Sequence, residues 1–452
     1  MTSAMARPAA KAPIGLWTSI ALVIGNMIGS GVFLLPASLA SYGGVSVVGW
    51  LVTAVGAIAL ALVFWRLSRA FPRIGGPYAY TYHGFGGAIG FQVAWGYWIA
   101  IWAGNAAIVT AFVGYLGEFW PGLTGSPVLA AAVAIIAVWV LTAVNAAGIR
   151  PAGMVQVITT IAKLVPLVAV ALLGLFFFDS ANFPAFNLSG ESDFSAVTSV
   201  AALTLWAFIG LESSTIPAED VENPERTIPR ATIIGTLITT VIYILGTVAV
   251  MGLVPAELLA SSTAPFADAA RAMFGSWAGY VVAIGALFST FGCLNGWILL
   301  QGQIPLAAAK DGLFPAAFGR VSANGTPVFG LVVSSILVTL LILFNYNSTL
   351  VELFNFTLLL ATMTTLVPYV FTTMAALVLY ATDRTHFKEK PGAGEVVVAL
   401  VAFVYSMWTL YGAGAEVVMW GTLLMLAGLP IYVWMKSQSP AAAGKAAATS
   451  GR

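Results

Sequence analysis

Two apolar stretches of this chain carry residues that a membrane span rarely tolerates. The first, Gly25-Asn26-Met27-Ile28-Gly29-Ser30-Gly31-Val32-Phe33-Leu34-Leu35-Pro36, lies inside an apolar run from Leu16 to Ala40. Glycine destabilises a helix by roughly 1 kcal/mol, and each unpaired backbone group in hydrocarbon costs several kcal/mol, so a break here needs a cavity or another protein surface beside it. A broken helix offers free amides at one half-helix start, which suit an anion, and free carbonyls at the other half-helix end, which suit a cation. The alternative use of these small residues is a close helix crossing. The second stretch, Trp206-Ala207-Phe208-Ile209-Gly210-Leu211-Glu212-Ser213-Ser214, places a glycine and a carboxylate in mid-span. Two interrupted helices at corresponding positions of two halves point to an inverted-repeat transporter.

Two charged residues inside apolar runs extend the chemistry. An intramembrane carboxylate such as Glu212 must be paired, hydrated or protonated. It either accepts hydrogen bonds from loose backbone amides or acts as a proton-sensitive gate. Lys163 is the one basic residue expected within a span, at a cost of at least about 2.5–3.5 kcal/mol if left alone. Its expected acceptors are carbonyls from Ile24 to Met27 and the hydroxyls of Ser289 or Thr290.

These residues need a membrane scaffold, and the composition supplies one. Of 452 residues, 60% are hydrophobic and 8% are charged, against about 25% charged in soluble domains. The mean hydropathy is +0.95. A net charge of +1 gives no reason to expect a nucleic-acid partner, and the single cysteine, Cys293, rules out a disulfide framework within the chain. Cys293 itself reads as a small buried hydrophobe. Runs of about 20 apolar residues place twelve spans near 15–41 (broken), 46–70, 86–117, 126–147, 152–178, 195–219 (broken), 229–254, 277–308, 326–346, 350–380, 394–412 and 415–435.

Putting the N-terminus inside leaves all eighteen Lys and Arg residues on the cytoplasmic side except Arg271 outside and Lys163 within a span, as the positive-inside rule requires. Both termini are then cytoplasmic in an inner-membrane protein. Residues 1–13 form a cytoplasmic segment, 14–435 the transporter domain, and 436–452 a tail rich in Ala, Ser, Gly and Lys that reads as disordered. Gly75-Gly76-Pro77-Tyr78 suggests a tight turn or a short re-entrant segment, and the loop from Pro255 to Phe274 a short amphipathic helix. His83 and His386 read as solvated or interfacial and apart from each other. No His-Glu-x-x-His, paired intramembrane aspartates or Ser/His constellation argues for an enzyme, and neither metal nor cofactor is called for.

Gly25 to Pro36, Trp206 to Ser213, Val221-Glu222-Asn223-Pro224-Glu225-Arg226 and Lys310-Asp311-Gly312-Leu313-Phe314-Pro315 together resemble the amino acid–polyamine–organocation superfamily. Within it, the likeness is to the basic amino acid/polyamine antiporters, above all the arginine/agmatine antiporters. The resemblance implies an all-α fold with broken helices 1 and 6 and a five-plus-five inverted repeat. The repeats would cover about 14–178 and 195–380, with helices 11–12 at about 394–435. It also implies alternating access, often in homodimers, on a small-molecule substrate. By position, Ser30 and Gly31 would meet the substrate carboxylate from unwound backbone facing a central cavity. Asn26 falls in the same segment, and carbonyls near Met27, Trp206 and Ile209 would meet the α-ammonium. Trp206 would cover the site, Trp297 would stack on the substrate side chain, and Asn105 would face its far end. Tyr97 and Tyr369 are the implied gate aromatics, beside the gate already read from the Glu212 carboxylate.

Two departures modify the expectation. Ala361 stands where arginine-selective members carry a small hydroxyl, and Ile101 and Ile108 make the neighbouring pocket apolar. Guanidinium has five donors, and a buried donor without a partner costs roughly 1–3 kcal/mol, so neutral amino acids become candidates. Lys163 is absent from arginine/agmatine antiporters but has counterparts in sodium-independent members, where the ammonium stands in for a sodium ion. The sequence therefore reads as a sodium-independent amino acid transporter, an exchanger or proton-coupled carrier, with arginine/agmatine or other basic amino acid/polyamine exchange as the alternative. A channel or sensor on the same scaffold would need a regulatory domain that the sequence does not show.

Overall fold

The computed structural model describes residues 15–71, 76–148, 153–210, 221–383, 385–387 and 391–437; the side chains of Leu22, Asn26, residues 153–162, Pro224 and Glu225 are not described. Glu212, the residues before 15 and most of the expected tail lie outside the described residues. All regular structure among the described residues is helical. The first half contains α1 (Leu16–Met27), α2 (Ser30–Ala40), α3 (Val45–Ala70), α4 (Pro77–Phe85), α5 (Gly87–Leu116), α6 (Pro121–Thr124), α7 (Pro127–Ala146) and α8 (Gly153–Leu173). The second contains α9 (Asp193–Leu205), α10 (Pro224–Leu253), α11 (Ala256–Ala260), α12 (Pro265–Phe274), α13 (Ser276–Lys310), α14 (Val328–Phe344) and α15 (Leu350–Thr382). α16 (Ala393–Gly412), α17 (Ala415–Leu426) and α18 (Gly428–Ser437) close the chain.

Among the described residues, eight helical segments are long and apolar enough to cross a bilayer, and α1 with α2 makes a ninth bent by 47°. Lys163–Phe177, Asp193–Phe208 and Val328–Phe344 are shorter apolar helices. Helix is the only open-ended way to pair every backbone group in hydrocarbon, which is why an apolar chain of this length becomes a bundle. The protein is a multi-pass membrane protein.

α5 lies at the centre, packed against α13 and α15 over most of its length. Small residues allow that approach: a Cβ on Gly96 would stand 3.3 Å from the Thr364 carbonyl oxygen. At the end of the bundle where α2 and α5 finish, Tyr115 Oη donates to the Phe33 carbonyl at 2.7 Å and accepts from the Phe266 amide at 3.3 Å. Beside it, Ser38 Oγ donates to Asn355 Oδ1 at 2.5 Å, so α2, α5, α12 and α15 are joined there. At the other end Arg66 pairs with Glu395, and Tyr78 Oη donates to Asp311 at 3.1 Å.

Some details differ from the sequence expectations. The loop after Pro255 forms two short helices rather than one, because Ser261 and Ser262 interrupt it before Pro265 restarts a helix. Pro77 opens a full helix after Gly76, whose φ of +51° allows the tight entry. The two histidines are not apart. They flank the Phe71 ring, with centroid distances of 4.8 Å to His83 and 4.6 Å to His386, because the ends of α3, α4 and α15 converge.

Candidate functional site

The first break falls at Ile28 and Gly29, two residues before the expected centre. Ile28 is extended (φ −77°, ψ 94°), Gly29 has ψ −134°, and Ser30 already opens α2. Ser30 and Gly31, expected in unwound backbone, instead occupy the first turn of α2, where backbone N–H groups lack intrahelical acceptors. Its N-cap, Gly29, has no side chain to cap it, and the Ser30 N–H donates to the Cys293 sulfur. Gly29 sits under Cys293, since a Cβ there would stand 2.8 Å from Cys293 Sγ. Cys293 is therefore placed at the break itself. Ser289 Oγ reaches the Gly29 carbonyl at 3.5 Å.

The second break follows α9. Trp206–Phe208 tightens into a 3₁₀ turn in which the Ile209 amide donates to the Trp206 carbonyl at 3.2 Å. Ile209 is then extended, and Gly210 takes φ +103°, a conformation open to glycine. Glu212, two residues on, lies outside the described residues, as does the Asn26 side chain.

The two breaks meet at Trp206. A Cβ on Gly31 would stand 2.9 Å from Trp206 Cδ1, and one on Gly104 would stand 2.5 Å from Trp206 Cη2. The indole is thus clamped between α2 and α5 by two positions that carry no side chain. Trp297 stacks on it, with centroids 6.4 Å apart and planes at 28°. Ser30, Gly31, Met27, Ile101, Asn105, Ile108, Ile209 and Ala361 are all buried. Tyr97 is buried, and Tyr369 packs edge-on against Phe64 at 5.0 Å.

Asn105 does not point freely at a substrate. Its Nδ2 donates to Gln301 Oε1 at 2.7 Å, while its Oδ1 is buried with no partner among the described residues. Lys163 is buried, and its ammonium donates to the Gly25 carbonyl at 2.5 Å. Thr290 Oγ1 donates within its own helix to Ala286 and Leu287 instead.

Sequence reasoning missed Tyr243. Its hydroxyl, fully buried in α10, is shared between the Met27 carbonyl at 2.8 Å and the Ala207 carbonyl at 3.0 Å. One donor thereby ties the ends of both interrupted helices. The carbonyls expected to receive a substrate ammonium at Met27 and Trp206 are each already engaged once, and a carbonyl keeps a second lone pair. Tyr243→Phe removes only the hydroxyl and leaves two acceptors short of a donor. At about 1–1.5 kcal/mol for the lost bond, exchange by Tyr243→Phe in proteoliposomes is expected to fall about tenfold at normal surface expression. Undiminished exchange would show that the helix ends hold without it.

The arrangement brings together two half-helix termini, a clamped pair of indoles and a deep ammonium, and interrupted helices of this kind are parts of an alternating-access carrier. The family pattern described as amino acid permease matches residues 14–423. The cadaverine/lysine antiporter of Escherichia coli (strain K12) is 39% identical over 331 residues, covering 73% of this chain and 74% of that protein. The putrescine transporter PotE of Haemophilus influenzae is 34% identical over 93% of this chain and 96% of its own length. PotE of Escherichia coli (strain K12) is 36% identical over 91% and 93%. On a match that spans nearly the whole sequence and both helix breaks, this chain belongs to the amino acid permease family.

Proposed function

We propose that this permease is an antiporter that exchanges a cationic amino acid of the lysine type for a short diamine, without sodium. The observation that carries the reading is the combination at Asn105: its Oδ1 is a buried acceptor on α5 without a partner among the described residues, with Ile101 and Ile108 on the same helix. Apolar walls suit a methylene stem, and a single acceptor suits a terminal ammonium better than a guanidinium with five donors. The lining that pointed to a neutral side chain thus serves a polymethylene chain equally. The relatives named for cadaverine, lysine and putrescine support the same choice.

The remainder of the proposal is architectural. Twelve spans form a five-plus-five inverted repeat with both termini cytoplasmic. Support comes from the long and short apolar helices together, the two breaks and the distribution of basic residues. Exposed apolar residues on α16 and α17, such as Val404 and Trp420, suit lipid or a second copy of the chain. Glu212 is the proposed gate, and Lys163 the proposed occupant of the ion position.

Counterflow in proteoliposomes tests the substrate assignment. Lysine, cadaverine and putrescine inside should each drive uptake of labelled lysine, equally in sodium and choline buffers, with arginine weaker. Ala361→Ser adds an acceptor worth about 1 kcal/mol and is expected to improve arginine competition about fivefold. Exchange confined to neutral amino acids would overturn the assignment.

A further inference from the structure

Asn105 can present either its carbonyl or its amino group to a ligand, and the choice reverses the preferred ligand. The surrounding bonds decide it. Thr142 Oγ1 donates to the Val138 carbonyl at 2.7 Å and lies 2.7 Å from Ser335 Oγ. With the Thr142 hydrogen directed to a carbonyl, Ser335 must donate to Thr142. Ser335 then has only lone pairs left for Gln301 Nε2, which approaches it at 2.8 Å. The other hydrogen of Nε2 goes to the Leu331 carbonyl at 3.2 Å. Both acceptors demand the amino face of Gln301, so its carbonyl must face α5. Asn105 must therefore donate Nδ2 to Gln301, which leaves Oδ1 as the remaining acceptor. Asn105, Gln301 and Ser335 are each 0% exposed, so water cannot rearrange the chain of bonds.

We propose that Gln301 is a specificity-determining positioning residue: anchored on Leu331 and Ser335, it fixes the polarity of Asn105 so that the site accepts a donor-bearing substrate end. Gln301 does not touch the substrate; it acts through Asn105. The ligand class follows from the chemistry. A terminal ammonium satisfies Oδ1, whereas an uncharged methyl end leaves a buried acceptor unpaired. This inference rests on the proposed role of Asn105 at the far end of the substrate; its chain neighbour Gly104 is the residue that packs against the Trp206 ring.

The test compares lysine and cadaverine with norleucine, which has a methyl end in place of the ammonium, as competitors of counterflow in proteoliposomes. Gln301→Leu frees the Asn105 amide to turn. The expected result is a tenfold weaker half-saturation for lysine and cadaverine, little change for norleucine, and an unchanged maximal rate. Ser335→Ala keeps the fold and removes one anchor, and should move the same ratio about threefold. If either variant weakens all three ligands by one factor, or none, Gln301 is only structural and the proposal fails. Asn105→Leu separates the two levels. If the parent favours lysine over norleucine and Asn105→Leu abolishes that preference while Gln301→Leu and Ser335→Ala retain it, the positioning role alone is wrong. A parent that does not favour lysine over norleucine overturns the substrate reading and this inference together.

Discussion

Lys163→Ala is expected to lose exchange by about 10- to 100-fold while still inserting and folding. The ammonium donates to the Gly25 carbonyl near the end of α1, so it ties α8 to the half-helix proposed to move when the site opens. A hydrogen bond from a charged donor contributes about 1.5–3 kcal/mol, and each 1.4 kcal/mol is a factor of ten. The alanine variant also removes a charge from hydrocarbon, which favours insertion, so reduced flux would not reflect failure to reach the membrane. A stand-in for a metal ion must be a compact point charge. Lys163→Arg keeps the charge but substitutes a broad planar fork for one carbonyl, and is expected to recover only a small part of the flux. The parent should exchange at one rate in sodium and in choline. A sodium requirement in the parent, or full flux in Lys163→Ala, would defeat the assignment.

What could be foreseen was whatever one segment announces by itself. Gly29 in mid-span marks a helix break because glycine there is disfavoured unless the backbone is needed. The break lies at Ile28 and Gly29 rather than at Ser30: Gly29, packed under Cys293, takes the non-helical backbone from which α2 starts. Lys163 stood out because a basic residue in a span demands an acceptor. Tyr243 and Gln301 gave no comparable signal. A tyrosine in an apolar helix is ordinary, and its two carbonyl partners come from distant stretches, at Met27 and Ala207. Gln301 offered a weak clue, since a buried primary amide needs several partners, yet the partners Asn105, Leu331 and Ser335 sit on two other helices. The histidine pair around Phe71 was hidden for the same reason. Local propensity reveals breaks and charges, whereas shared donors depend on which helices pack together.

Gly104→Ala should reduce exchange about tenfold or more, and the loss should depend on which aromatic ring occupies position 206. A new Cβ at 104 would stand 2.5 Å from Cη2 and 3.1 Å from Cζ3 of Trp206, at the far edge of the indole. Overpacking of this kind costs about 1–3 kcal/mol. Trp206→Phe deletes that far edge, so in the phenylalanine background Gly104→Ala should cost less than about threefold, a coupling of at least about 0.7 kcal/mol in a double-mutant cycle. Gly31→Ala provides the contrast. Its Cβ would meet Trp206 Cδ1 at 2.9 Å and the Ala207 Cα at 3.4 Å. Those atoms belong to the near edge of the ring and to the backbone, which phenylalanine keeps in place. The Gly31→Ala loss should therefore persist unchanged in the Trp206→Phe background. Counterflow rates for the five variants, three single and two double, decide the matter. If Gly104→Ala costs the same with either ring at 206, Trp206 is not seated against α5 when the carrier works, and the clamp between the broken helix and α5 does not operate.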